Sequence, residues 1–184
     1  MRCRIVSKVL ISLDLTALSA QSGLSPKLLE VYAEAAGVVL DRFHGPMGSP
    51  TPASIEEGDR ATRAQIHWER STEQAQASHD NRIDASEFAA CAVAIAAAHA
   101  YAGRRVLRRA LHGSGADFLM RRHDATGDDF ERLEVSGITT TEPPRTRLRE
   151  KVDELRRGND RRPGRALVVA FPGERVRALT EVVS

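Results

Sequence analysis

DASEFAACAVAIAAAHAYAG (84–103), RRVLRRAL (104–111) and ADFLMR (116–121) change period at Gly103, and that change decides the fold. Before it, Phe88, Cys91, Ala92, Ile95 and Ala102 recur as a helical stripe. Alanine fills most of the other positions, so this helix is expected to be buried on more than one face and to stand at the centre of the molecule. Asp84-Ala-Ser-Glu87 reads as a capping box in which Asp84 and Glu87 satisfy free backbone N–H groups reciprocally, with Gly103 as the stop. After Gly103 the period is two. Residues 104–111 read as a strand, Gly113-Ser114-Gly115 as a tight turn, and 116–121 as a second strand. Past a loop around Gly127, ERLEVSGI (131–138) is a third, giving an antiparallel three-strand meander.

Working outward, Pro143-Pro144 breaks the chain before a helix over about 145–157, whose buried seam is Leu148, Val152 and Leu155. Gly158 and Pro163-Gly164 end it. The continuous apolar run ALVVAF (166–171) then fits an interior strand covered on both faces, a parallel fourth strand reached by a crossover helix. Residues 174–183 fit either helix or strand. On the N-terminal side, Ile5–Leu13 reads as a strand. Ser25-Pro26 opens a helix carrying Leu28, Leu29, Tyr32, Ala36 and Val39 to about Phe43. HGPMGSPTPAS (44–54) is a long surface loop. RAQIHWE (63–69) alternates, with Ala64, Ile66 and Trp68 on one face, and 71–82 is a short helix or loop. The fold class is therefore α+β, a central mixed sheet flanked by helices in one domain over 1–184. Within it, 1–83 is an N-terminal strand/helix extension, 84–171 an αβββαβ core and 172–184 a C-terminal segment.

Composition narrows the function classes. Aromatics are only 4% of the 184 residues, so the core is expected to rest on close approach of small side chains. The N-terminus is a poor signal peptide, interrupted by Asp14, and no run reaches the ~20 apolar residues of a membrane span. Cys3 and Cys91 lie too far apart for a thiol cluster and point to a reducing, cytoplasmic setting, Cys91 as a small buried hydrophobe. The six histidines show no ligand spacing, which argues against zinc; His112 and His123 read as exposed loop residues. Walker and dinucleotide loops are absent, and Ser114 has no nucleophile-elbow context. Charge is uneven. Residues 1–103 carry 9 basic and 12 acidic side chains, a balance of −3, and residues 104–184 carry 18 and 13, a balance of +5. That asymmetry points to an anionic partner for the C-terminal half.

The order helix, strand, strand, strand, helix, strand from residue 84, with Asp117 near the start of the second strand and Glu134-Val135-Ser136 in the third, resembles the PD-(D/E)XK, or restriction-endonuclease-like, superfamily. The resemblance covers roughly 84–171. It implies a nuclease-like, nucleic-acid-binding protein in which Asp117 and Glu134 hold Mg²⁺. Across an antiparallel hairpin the two carboxylates would be neighbours, and a hard ion that keeps its waters needs few protein oxygens. Glu134 and Ser136 should share one face and display themselves there, with Leu133 and Val135 turned to the core.

The family pattern places Lys where this chain has Ser136, and a hydroxyl cannot replace an ammonium. Some members supply the lysine from the following helix, where Lys151 lies, so Asp117, Glu134 and Lys151 form the implied catalytic set, with Glu87 and Ser136 accessory. Arg104, Arg105, Arg121, Arg122, Arg147 and Arg149, with Arg108, Arg109, Arg145, Arg156 and Arg157 nearby, would contact nucleic-acid phosphates. Each residue also has an ordinary reading. Asp117 can polarise a turn, Glu134 can pair with an arginine on a neighbouring strand, and Glu87 completes the capping box. Lys151 can be a solvated helix residue and the arginines a solvated surface. A second function class stays open: a protein-binding accessory or immunity-type factor that uses the fold as scaffold. It would expose an apolar patch on the Leu28/Leu29/Tyr32 helix and gather no acids. Oligomeric state and catalytic competence are not legible.

Overall fold

In the computed structural model, which describes residues 5–45 and 50–184, the change of period at Gly103 coincides with the end of the central helix. Cys3 and residues 46–49 lie outside the described residues, and the expected 44–54 loop is shorter than its composition implies, because 51–54 are already strand and mostly buried. Strand β1 (Ile5–Asp14) leads through a single turn into the short helix α1 (Leu18–Gln21), and Ser25-Pro26 starts helix α2 (Pro26–His44). Strands β2 (Thr51–Glu57) and β3 (Arg60–His67) precede helices α3 (Glu73–Ser78) and α4 (Arg82–Ala100). Then come β4 (Arg104–Arg109), β5 (Phe118–Arg122), β6 (Glu131–Ile138), α5 (Pro144–Arg157), β7 (Gly164–Ala170) and β8 (Val176–Val183). Gly103 supplies the positive φ, +64°, by which the chain turns from helix into strand.

All eight strands form one mixed sheet in the order β1-β3-β2-β8-β7-β6-β5-β4. β4, β5 and β6 pair antiparallel, β6 and β7 parallel, and β7 and β8 antiparallel. The closing segment is thus a strand, and it pairs in parallel with β2. Within residues 1–83, β1, β2 and β3 continue the same sheet.

Helix α4 lies against one face of the sheet with α2 packed on it, while α5 covers β6, β7 and β8 on the other face. β7 is therefore buried on both faces, as its unbroken apolar run requires. Leu167 and Val169 join the α4-side core, and Ala166 and Val168 join the core around Leu148, Val152 and Leu155. Full burial of a leucine such as Leu155 contributes roughly 1.5–3 kcal/mol. Among the described residues α4 is the one helix long and apolar enough to cross a membrane, and 67% of that stretch is buried inside the fold.

Two further expectations, both bearing on the site, fail here. Helix α4 begins at Arg82, two residues before the proposed box. Its cap is Asn81, in an extended conformation, whose Oδ1 accepts from the Ile83 and Asp84 N–H groups at 3.1 and 3.5 Å. Glu87 is thereby more than a turn inside the helix and caps nothing. The second failure is the exposure of β6. Because α5 closes over the face opposite α4, Glu134 is only 6% exposed and Ser136 is fully buried, not displayed.

Candidate functional site

The register Phe118↔Leu133 sets Asp117, the residue before β5, beside the middle of β6. The Asp117 N–H donates to the Leu133 carbonyl at 3.0 Å, and its Oδ2 accepts from the Val135 N–H at 2.9 Å. Asp117 thus brackets Glu134 from the neighbouring strand. The turn before it is packed onto the end of α5, where Gly113 O accepts from the Asn159 N–H at 3.1 Å. A Cβ on Gly158 would overlap the carbonyl of Ser114, so the contact admits only glycine there. Between this turn and α5 opens a cleft of about 620 Å³ whose lining includes Arg109, His112, Asp117, Glu134, Glu154 and Arg157.

On α5 the side chains of Arg147, Lys151 and Glu154 fall at i, i+4 and i+7, one face of the helix, and that face meets β6. Lys151 Nζ donates to Glu134 Oε1 at 2.7 Å and to Glu154 Oε2 at 2.8 Å. It is therefore not a solvated surface lysine. Burial, then the charge of Asp117, push the Glu134 carboxyl up to about 8, while Lys151 pulls the other way. Burial alone would lower the Lys151 ammonium, but hydrogen bonds and charge from Glu134 and Glu154 outweigh it and hold its pKa above the ordinary lysine value. At neutral pH Lys151 is a fixed cation and cannot serve as a base. Burial would raise Glu154, yet its contacts with Lys151 and Glu134 and the charge of Arg147 bring it below the usual carboxylate value.

One step along β6, Ser136 stands between a second pair. Its Oγ donates to Glu87 Oε1 at 3.1 Å and accepts from Arg147 Nε at 3.0 Å. Glu87 Oε2 also accepts from the Gly137 N–H at 3.3 Å. Burial raises the Glu87 carboxyl, and the hydrogen bonds from Ser136 and Gly137 oppose that rise. Ser136 is thus a buried hydroxyl held between the Glu87 carboxylate and the Arg147 guanidinium.

Asp117, Glu134, Lys151, Glu87, Ser136 and Arg147 are brought into one neighbourhood. The remaining expected phosphate-binding arginines are not. Arg104 pairs with Glu131 at 2.8 Å and Arg122 with Asp124 at 2.6 Å. Arg105 donates to the Ser22 carbonyl and Arg121 to the Gly127 carbonyl, away from the cleft, while Arg149 is exposed on α5. The cations that do line the cleft are Arg109 and Arg157, which the sequence did not separate from their neighbours. Glu154 had no sequence signal beyond its helical spacing from Lys151. His112 borders the cleft, whereas His123 packs against His99 with ring centroids 4.6 Å apart. On α2, Leu29 and Tyr32 are buried against the core, whereas Leu28 is half-buried and Val31 is exposed.

As a cation site the cluster offers two facing carboxylates, Asp117 and Glu134. Among the described residues no three His, Cys, Asp or Glu side chains gather in ligating geometry. That donor set fits a small hard ion that keeps most of its waters and fits poorly a metal needing a full protein cage. The raised Glu134 carboxyl fits it too, since a cation between the carboxylates would offset both burial and mutual repulsion. No known protein family, curated protein or solved structure matches this chain.

Proposed function

We propose that this chain is a nuclease-like nucleic-acid-binding protein of the PD-(D/E)XK type, with a displaced lysine and Mg²⁺ as its cofactor. In this reading β4, β5 and β6 are the meander, α5 the crossover and β7 the parallel fourth strand. The observation that carries it is the 2.7 Å contact of Lys151 with Glu134, which lines an open cleft beside Asp117. An ordinary ion pair would account for Lys151 and Glu134 alone. It does not account for the further carboxylate, Asp117, which lines the same cleft beside Glu134.

Asp117 and Glu134 would hold the ion. Bound there, Mg²⁺ supplies polarisation of a phosphodiester and a water of lowered pKa. Lys151, fixed as an ammonium by two carboxylates, stabilises negative charge developing on phosphoryl oxygens. Ser136 acts indirectly, by linking Glu87 to Arg147 and so holding the face of α5 from which Lys151 projects.

The test is calorimetric titration of Mg²⁺ and Mn²⁺ into the wild-type chain and into a folded Asp117→Ala/Glu134→Ala double variant, followed by cleavage of a labelled oligonucleotide. Heat of binding in the wild type, abolished in the double variant, is the expected result. Lys151→Ala should retain metal binding and lose cleavage. Absence of binding by either ion to the wild type would overturn the metal-dependent reading.

A further inference from the structure

Arg109 is held in an unusual way. Its Nη1 donates to the Tyr32 hydroxyl at 2.9 Å, and its guanidinium lies over the Phe118 ring, 5.0 Å from the centroid. Tyr32 is itself buried and meets Phe118 edge-on, 6.2 Å between centroids. The brace is therefore rigid, reaching from α2 across to β5. It is also electrically neutral. Arg104, Arg122, Arg147, Arg162, Arg165 and Arg177 each sit within 4 Å of a carboxylate. Among the described residues Arg109 has no such partner, and neither does Arg157, whose Nε donates to the Asp153 carbonyl. These are the two arginines lining the cleft that holds Asp117 and Glu134.

A guanidinium has five N–H donors in a planar fork suited to oxyanions. A phenol and a phenyl face fix its position and leave most of its donors for a ligand, while the nearby Asp117 carboxylate offsets part of its charge. Stacking on an aromatic face also lowers the entropy lost when that ligand binds. We propose that Arg109, braced by Tyr32 and Phe118 and sharing the cleft with Arg157, is the residue that docks a phosphate group of the substrate there. The proposal rests on the nuclease-like reading for the identity of the ligand. It also gives the N-terminal half a role in the site, because α2 supplies the hydroxyl that fixes Arg109.

The test uses the full chain with two probes. The first is a short fluorescein-labelled single-stranded oligonucleotide, followed by anisotropy over a salt series with Ca²⁺ in place of Mg²⁺. The second is inorganic phosphate, followed by ³¹P line width. Arg109→Ala is expected to weaken oligonucleotide binding by about tenfold or more, the scale of a lost charge-assisted contact. Its salt dependence should be shallower by roughly 0.7 in slope, the loss of one phosphate contact to a single strand. Tyr32→Phe keeps the charge and removes the brace, so binding weakens while the slope is retained. Arg109→Lys, which preserves charge without the stacked fork, should fall between, and it guards against misfolding of the alanine variant. Arg63→Ala, exposed on β3 four strands away from β6, should bind as the wild type does. Wild-type affinity in Arg109→Ala, or equal damage from Arg63→Ala, would overturn the proposal. An Arg109-dependent phosphate signal without oligonucleotide binding would keep the oxyanion site and remove the nucleic-acid reading. Silence of the wild type to both probes would remove both.

Discussion

A carboxyl group as enclosed as Glu134, with Asp117 beside it, ionises against its surroundings, and the consequence for stability has a definite sign. Its ordinary pKa is near 4.5, and in the folded chain it is pushed up to about 8, first by burial and then by Asp117. Between those values the folded state keeps a proton that the unfolded state has released. Stability from this group is therefore full below about 4.5 and is lost as pH rises through about 8. The other groups facing it act elsewhere: Lys151 is raised from an already basic value, and Glu154 is lowered, so its contribution is lost only in acid. With a chelator present, Glu134→Gln should gain melting temperature relative to wild type as pH goes from 5 to 8, then hold that advantage. A difference independent of pH would show that Glu134 ionises freely. The positions of Asp117 and Glu134 were readable because strand pairing places the start of one strand beside the next. The burial of Glu134 was not readable, because alternation says which residues share a face and nothing about what covers it. Lys151 stood out because lysine is rare in this chain, whereas Glu154 is one acid among many.

At the scale of elements, the site depends on how closely α4 approaches β6. A Cβ on Gly137 would overlap the carbonyl oxygen of Ser86 and press on the Ala90 methyl at 3.3 Å. Glycine on the strand and alanine on the helix let the two backbones meet, which places Glu87 on Ser136 and on the Gly137 N–H. Gly137→Ala must push α4 away, and overpacking of this kind typically costs about 1–3 kcal/mol. Urea denaturation should show that loss in the midpoint, and Arg147 and Lys151 should become less ordered as their partner strand shifts. Unchanged stability would mean that the helix is not seated as closely as the structure places it. The identity of these elements was largely legible: the α4 stripe, the period change at Gly103 and the apolar run of β7 each carry a clear physical signal. The α4 start was misread because Asp84 and Glu87 have the spacing of a capping box, while Asn81, which does the capping, lies among polar residues with no periodicity. Boundaries near β5 shifted by two residues, since nothing in ADFLMR marks where pairing begins.

For the whole molecule, the question is whether residues 84–184 could stand alone, as the sequence division at residue 83 invites. The sheet argues otherwise. β8 pairs with β7 on one side and with β2 on the other, so deleting 1–83 would expose a long inner strand edge. The helix layer argues the same way. α4 is buried nearly all round because α2 covers the side facing away from the sheet, and Tyr32 of α2 packs on Phe118 of β5 beside the cleft. Removing α2 would expose a helix composed mainly of alanine, valine and isoleucine, an apolar surface much larger than isolated folded domains present. A fragment spanning 84–184 should therefore be aggregated or unfolded, with a poorly dispersed amide spectrum and no cooperative melting transition. The intact chain should unfold in one transition by both far-ultraviolet circular dichroism and the fluorescence of Trp68, which follows β3 in the N-terminal half. A fragment with dispersed amides and its own transition would instead establish a separable core. The cleft would then have to bind its ligand without the Tyr32 brace, and the same fragment would reveal that as weakened oligonucleotide binding.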